Sequence, residues 1–234
     1  MRRVAVVSAI MAASGTLAAV AAAAQSPSAL RNSIFAAANA QRSVHYVSYS
    51  KGKGNVAIVG DAGRTRGIQR IRYAYGHRSG HAKVIVANKT AYVHGDAFTL
   101  RRFLGFTKAQ SARYANVWVR VPQQSHLYAS LAGAVTLPSL LAEIYPKRNV
   151  ERVSRTANGL RLVGVRGTTR HQGIPFVEAV YARADGKPVP ITELEIAPTA
   201  NFRSSTAMGR WNEQLHIAIP RHAGTIAGSG GTTA

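Results

Sequence analysis

From Ser43 to Val93 the chain alternates short segments rich in Val, Ile and Tyr with Gly, Asn and Ser at intervals of roughly ten residues, the pattern of an antiparallel meander. It predicts strands over 43–50, 55–60, 66–75, 82–87 and 90–95. The turns fall at Lys51-Gly52-Lys53-Gly54, His77-Arg78-Ser79-Gly80 and Asn88-Lys89. Within Gln69 to Tyr75 the period of two puts Ile71, Tyr73 and Tyr75 on one face and Arg70 and Arg72 on the other. One side of this sheet is therefore apolar and aromatic, the other basic.

Helical periods flank the meander. Ser26-Pro27 is an N-cap with proline at the first helical position, and Leu30, Ile34 and Ala38 recur every fourth residue, which predicts a helix to Gln41. After the meander, Asp96 caps a helix carrying Leu100, Phe103 and Leu104 on one side, which Gly105 ends. A second short helix runs from Lys108 to Tyr114, and residues 117–122 form a strand stopped by Pro122. Thr136 caps a helix with Leu137, Leu140, Leu141 and Ile144 at i, i+3, i+4 and i+7. Strand patterns return over 149–155, 159–167, 174–182, 189–197, 201–208 and 211–218, with Asn158-Gly159 and Asp185-Gly186 as hairpin turns. Helix, strands, helices and strands in that order predict an α+β domain with helices against one face of a long antiparallel sheet.

Composition adds boundaries and charge. Met1-Arg2-Arg3, the uncharged apolar run Val4 to Ala24 and the small residues Ala22-Ala23-Ala24 read as a secretion signal over residues 1–24. The domain then spans 25–220, and 221–234, with Gly228-Ser229-Gly230-Gly231, is expected to be a disordered tail. The full chain has 234 residues, 30 Lys plus Arg, 9 Asp plus Glu, and a net charge of +21. Removing the signal leaves +19, of which +14 lies between Gln25 and Leu140. The chain has no cysteine, which excludes disulfides, thiolate metal sites and a lipidated N-terminal cysteine.

Little in the sequence points to catalysis. His77 and His81 bracket a turn with no acid nearby, so neither a metal nor a cofactor is expected. There is no G-x-S-x-G, P-loop or G-x-G-x-x-G, and Glu193 and Glu195 sit on a strand that reads as exposed, where they would balance local charge. The chain therefore reads as a non-enzymatic protein. Arg64, Arg66, Arg70, Arg72, Arg78, Lys83 and Lys89 fall in adjacent strands and turns and predict a basic patch. Because the tyrosines alternate away from the arginines, nucleic acid is disfavoured as a partner, and an anionic membrane surface or envelope polymer is favoured.

Several runs carry a family resemblance. Ser43-Val44-His45-Tyr46-Val47, Thr90 to Phe98, Tyr114 to Pro122, Tyr181 to Pro190 and Gly209-Arg210-Trp211-Asn212-Glu213, following an initial helix, resemble bacterial envelope proteins of the LolA-like and LppX-like group over residues 28–220. The resemblance implies an incomplete β-barrel, a curved antiparallel sheet with helices in its concave face, and an apolar cavity holding a lipid or lipid-linked molecule. Ile71, Tyr73, Tyr75, Leu100, Phe103, Leu104, Leu137, Leu140 and Leu141 are the expected lining. Arg64, Arg66, Arg70, Arg72, Arg78 and Lys83 are the expected contacts for an anionic head or polymer. Without a cysteine anchor, the expected protein is an exported monomer, in the periplasm or cell envelope or secreted, either released by cleavage of the signal or held by it as an anchor. The alternative is a sensor or interaction module of the same fold, with a filled core and a ligand on the basic face.

Overall fold

A computed structural model describes residues 25–171 and 173–226. The expected signal, 1–24, and residues 227–234 of the expected tail lie outside the described residues. Turn chemistry sets the frame. Asn88 and Lys89 both have positive φ, as do Asn158 and Gly159, the backbone of tight hairpins whose twist matches the flanking strands.

The strands are β1 (Ser43–Lys51), β2 (Asn55–Gly63), β3 (Arg66–Tyr75), β4 (Arg78–Ala87), β5 (Thr90–Gly95), β6 (Val119–Pro122), β7 (Arg148–Ala157), β8 (Leu160–His171), β9 (Ile174–Arg183), β10 (Pro190–Ala197), β11 (Phe202–Gly209) and β12 (Gly224–Thr225). They form one curved, unclosed sheet in the order β12-β6-β5-β4-β3-β2-β1-β11-β10-β9-β8-β7. Every pairing is antiparallel except β12 with β6. Two meanders are thus joined along a seam where β1 pairs with β11, from His45 opposite Gly209 to Lys51 opposite Arg203.

Among the described residues five α-helices cover one face: α1 (Pro27–Asn39), α2 (Ala97–Arg102), α3 (Lys108–Arg113), α4 (Tyr128–Ala132) and α5 (Leu137–Glu143). Topology explains the last two. The chain leaves β6 near one edge and enters β7 at the other, so residues 123–147 must cross the sheet, and they carry α4 and α5 over its apolar face. Two core clusters result. One joins Leu30, Ile34 and Phe35 of α1 and Leu137, Leu140 and Leu141 of α5 to Val44, Tyr46, Val165 and Val180. The other joins Leu100, Leu104 and Leu131 to Ile71, Val84, Val93, Val119 and Val121.

The crossing segment is pinned at the middle of the sheet. Tyr46 Oη donates to the Ala134 carbonyl at 2.8 Å and accepts from Gln69 Nε2 at 2.6 Å. Gly67 allows the same approach from β3, because a Cβ there would overlap the backbone carbonyl of Val135. Burial pushes the Tyr46 hydroxyl well above the ordinary tyrosine range, against the bond from Gln69.

Three expectations need correction. Residues 211–218 do not form a strand: Arg210 and Asn212 take positive φ, and the Asn212 side chain bonds the Arg42 amide and Gln41 instead, replacing ladder bonds with local ones. The tail is ordered to Ile226, because β12 pairs with β6 and Ile226 is buried in the second core cluster. Helix α4 was not expected, since Leu127 at its N-cap makes no side-chain cap bond.

Replacing Gly67 with alanine should cost about 2–3 kcal/mol by driving the Val135 carbonyl off the sheet. Tyr46→Phe should cost about 1–3 kcal/mol by removing the bonds to the Ala134 carbonyl and from Gln69 Nε2. Urea midpoints at unchanged m-value are the measurement, and wild-type midpoints in both variants would show that the pin does not hold the crossing segment.

Candidate functional site

The period-two alternation sorts the side chains of each strand between a helix-covered face and an outer face. On β3, Arg66, Arg70 and Arg72 point outward, and Lys83 of β4 sits opposite Arg70. Arg70 Nη1 lies 3.9 Å from Asp61, which also holds His45 at 2.7 Å. Lys83 Nζ lies 5.7 Å from the Trp118 ring. The other two expected contacts leave this group. Arg64 donates to the Asn39 carbonyl at the end of α1, and Arg78, opposite Tyr75 and so on the helix side, lies 4.8 Å over the Phe98 ring.

Most of the expected cavity lining is core instead. Ile71, Leu100 and Leu104 pack in one cluster, and Leu137, Leu140 and Leu141 in the other. Tyr73 stacks on Phe98 and Phe103 at 5.5 and 5.4 Å, whereas Tyr75 and Phe103 are exposed at the rim. The reason is the length of the crossing segment. It brings enough leucine to fill most of the concavity that a shorter connection would leave open, and Leu140 alone of these residues borders the space that remains.

Open space appears in two other places. An open groove of about 1,090 Å³ crosses six adjacent strands, β4, β3, β2, β1, β11 and β10, near the β1–β2, β3–β4 and β10–β11 turns. Most of its lining residues carry the outward register. Its apolar wall includes Tyr49, 60% exposed, and Ile196, 50% exposed, beside Leu194 and Ala57. Its cations are Lys51, Arg72 and Arg203, with His81 at the same end. Lys51 stands directly opposite Arg203 across the seam, a like-charge cross-strand pair that weakens the sheet unless an anion lies between the two. Of the expected site residues, Arg72 and Tyr73 line this groove. Sequence reasoning missed Tyr49, Lys51, Ile196 and Arg203, because the β1–β11 register that assembles them is set by residues about 150 positions apart.

The second space is a cavity of about 390 Å³ on the helix side. Tyr46, Gln69, Leu140 and Ile144 line it together with Phe176, Phe202 and four carboxylates, Glu143, Glu178, Glu193 and Glu195. This overturns the expectation for Glu193 and Glu195. Glu193 pairs with Val180 and Thr206, and Glu195 with Glu178 and Ser204, so the alternation turns both glutamates toward the helices. Burial raises the Glu178 carboxyl to about 9, with repulsion from Glu193 and Glu195 adding to it and Lys147 opposing it. Burial likewise lifts Glu193 to about 8, against a bond from Thr206, and Glu195 to about 7 with help from Glu143. Glu143 is raised by burial alone.

Among the described residues no group of His, Asp and Glu is placed to hold a metal ion, and no helix is long and apolar enough to cross a membrane. No family model and no curated protein sequence matches the chain. Among solved structures, the chain is similar to an uncharacterized conserved protein from Thermus thermophilus at TM-score 0.46 and 9% identity, covering 86% of this chain and 99% of that one. A DUF1329 family protein from Desulfovibrio piger aligns at TM-score 0.27 and 10% identity, over 83% and 96%. A protein of YmcC-like fold from Bacteroides fragilis aligns at TM-score 0.23 and 7% identity, over 74% and 96%.

The glutamates give the protein a pH signature. Each raised carboxyl binds its proton more tightly folded than unfolded, so its contribution to stability is complete below the unfolded value of 4.5 and is lost as pH rises through the folded values of about 7 to 9. The melting temperature should fall by about 5 °C or more between pH 5 and pH 9. Replacing Glu178 and Glu193 by glutamine should flatten most of that slope, and calorimetric melting curves of both proteins across this range decide the matter.

Proposed function

We propose that this is an exported, non-enzymatic binding protein that holds a lipid or lipid-linked anion in the outer groove. The chain of the ligand lies along Tyr49, Leu194 and Ile196, and its anionic head lies between Lys51, Arg203 and Arg72. What supports this reading above all is the placement of opposed Lys51 and Arg203 beside two half-exposed apolar side chains in one groove of about 1,090 Å³. Tyr49 and Ile196 give an acyl chain an exposed apolar surface to lie along within this groove. Each buried CH₂ of an acyl chain contributes about 0.8 kcal/mol, and the cations select the head. The expected pairing of apolar chain and arginine is thereby kept, while its location moves from the concave to the outer face of the sheet.

A second reading draws on the filled core. A chain whose leucines fill most of the concavity suits a module that meets an anionic envelope polymer or membrane surface through Arg66, Arg70, Arg72 and Lys83. The two readings differ in their dependence on an apolar chain.

Calorimetric titration with dodecyl phosphate, butyl phosphate and dextran sulfate separates them. In the first reading dodecyl phosphate binds at least tenfold tighter than butyl phosphate, Ile196→Asp and Arg203→Glu each weaken it about tenfold or more, and Leu140→Trp leaves it unchanged. Equal binding of both alkyl phosphates, or binding of dextran sulfate that steepens with falling salt and ignores Ile196→Asp, would sink the lipid reading.

A further inference from the structure

The acids of this chain are few, and their placement is selective. Of nine Asp and Glu, five have surface partners or caps. Asp61 meets His45, Glu151 meets Arg166, Asp185 meets Arg183 and Glu213 meets Arg210. Asp96 caps α2 through the amide of Thr99 and also accepts from the amide of His81. The remaining four converge on the 390 Å³ cavity from three elements, Glu143 from α5, Glu178 from β9, Glu193 and Glu195 from β10. A folding argument alone does not explain this. Burying carboxyl groups costs free energy unless partners compensate, and thirty basic residues were on hand to pair with them on the surface.

Glu178 shows that compensation from the protein is incomplete. It is 2% exposed, it faces the cavity, and among the described residues its Oε2 has no hydrogen-bond partner. A buried acceptor left open toward a cavity is a place for a donor that the chain does not supply. The rest of the lining indicates what kind of donor. Ile58, Leu140 and Ile144 offer apolar wall, and Phe176 and Phe202 meet edge to face at 5.7 Å, so that aromatic surface stands beside carboxylates. Carboxyl groups together with aromatic faces are the receptors that organic ammonium ions need. The absence of a metal-binding arrangement among the described residues argues against a bare divalent ion.

We propose that the helix-side cavity is a binding site for a small organic di- or polyammonium ion, with Glu178 and Glu193 receiving its nitrogens and the apolar wall receiving its methylenes. The site is separate from the outer groove and opposite to it in charge, so the sheet carries an anion site on one face and a cation site on the other. Binding draws protons off the carboxyls. Glu143, Glu178, Glu193, Glu195, the Tyr46 hydroxyl and Lys147 are the titratable groups that face or act on the cavity, and the raised glutamates hold part of the proton load near neutral pH.

The probe is spermidine, titrated calorimetrically at pH 8 in Tris and in HEPES. A protein of +21 repels cations from its surface, so saturable binding singles out an interior acidic site. The expected result is one site per chain whose apparent enthalpy differs between the two buffers by the heat of about one released proton, read on the wild-type protein alone. Glu178→Gln and Glu193→Gln, amides of nearly the same shape, should each weaken spermidine about tenfold or more and reduce the proton release. Melting temperatures at or above that of wild type will show that both variants are folded. No saturable heat from spermidine, binding without proton release, or unchanged affinity in the double variant overturns the proposal. So does calcium chloride that displaces spermidine at comparable concentration, since that would assign the cavity to a metal ion.

Discussion

The arrangement of the whole molecule depends on one buried hydroxyl. Tyr46 sits at the seam strand, donates to the carbonyl of Ala134 and accepts from Gln69 on β3. Through those two bonds the segment between β6 and β7 is tied to the centre of a sheet that it must cross from edge to edge. On either side of the pin the leucines of α4 and α5 settle into separate core clusters. At the pin itself the packing is polar, and the acidic cavity opens there, with Tyr46, Gln69 and Ala134 among its walls. A purely apolar crossing would have filled the concavity evenly. The buried polar pin is what makes room for other polar groups beside it, because its bonds fix a backbone position that side-chain packing alone would leave free.

A sheet is one residue thick, and here that thinness separates two electrostatic environments. Neighbouring positions on β10 show it: Glu193 and Glu195 face the helices, while Leu194 and Ile196 line the outer groove. On β3, Arg70 and Arg72 face outward while Gln69, Ile71 and Tyr73 face in. A register slip of one residue would exchange these sets, putting the arginines of β3 against the core leucines and the glutamates of β10 into the outer groove. The charge pattern therefore specifies register as strongly as the hydrophobic pattern does.

Local periodicity was enough to place nearly all the strands and the capped helices. Ser26, Asp96, Thr107 and Thr136 each accept a backbone amide at the start of their helix, and the Asn88-Lys89 and Asn158-Gly159 turns take the backbone their residues favour. The face of each β3 side chain was legible for the same reason. What was not legible was which faces meet. Glu193 and Glu195 alternate with apolar residues, as exposed charges on a half-buried strand would, and only the pairing of β10 with β9 and β11 shows that their side is the covered one. The groove is harder still, since Lys51 and Arg203 meet through a seam between the first strand and the eleventh. The leucines misled in a different way. Leu137, Leu140 and Leu141 do share one buried side of α5, yet helical spacing cannot distinguish a residue that borders a cavity, as Leu140 does, from one that fills it.

An open sheet survives only if its edges do not recruit other strands. One edge is closed off by β12, two residues long, laid parallel on β6 and anchored by buried Ile226. The other is β7, which is mostly exposed and carries Arg148, Arg152 and Arg155 along its length, so a second copy approaching edge-on meets like charge. These guards let the sheet remain unclosed, and the openness has a consequence for both spaces. The unclosed, twisted sheet keeps a groove on one face and a helix-bounded cavity on the other. The excess of arginine thus has a structural use beyond any ligand: it keeps edges apart, while four of the nine acids line the interior cavity.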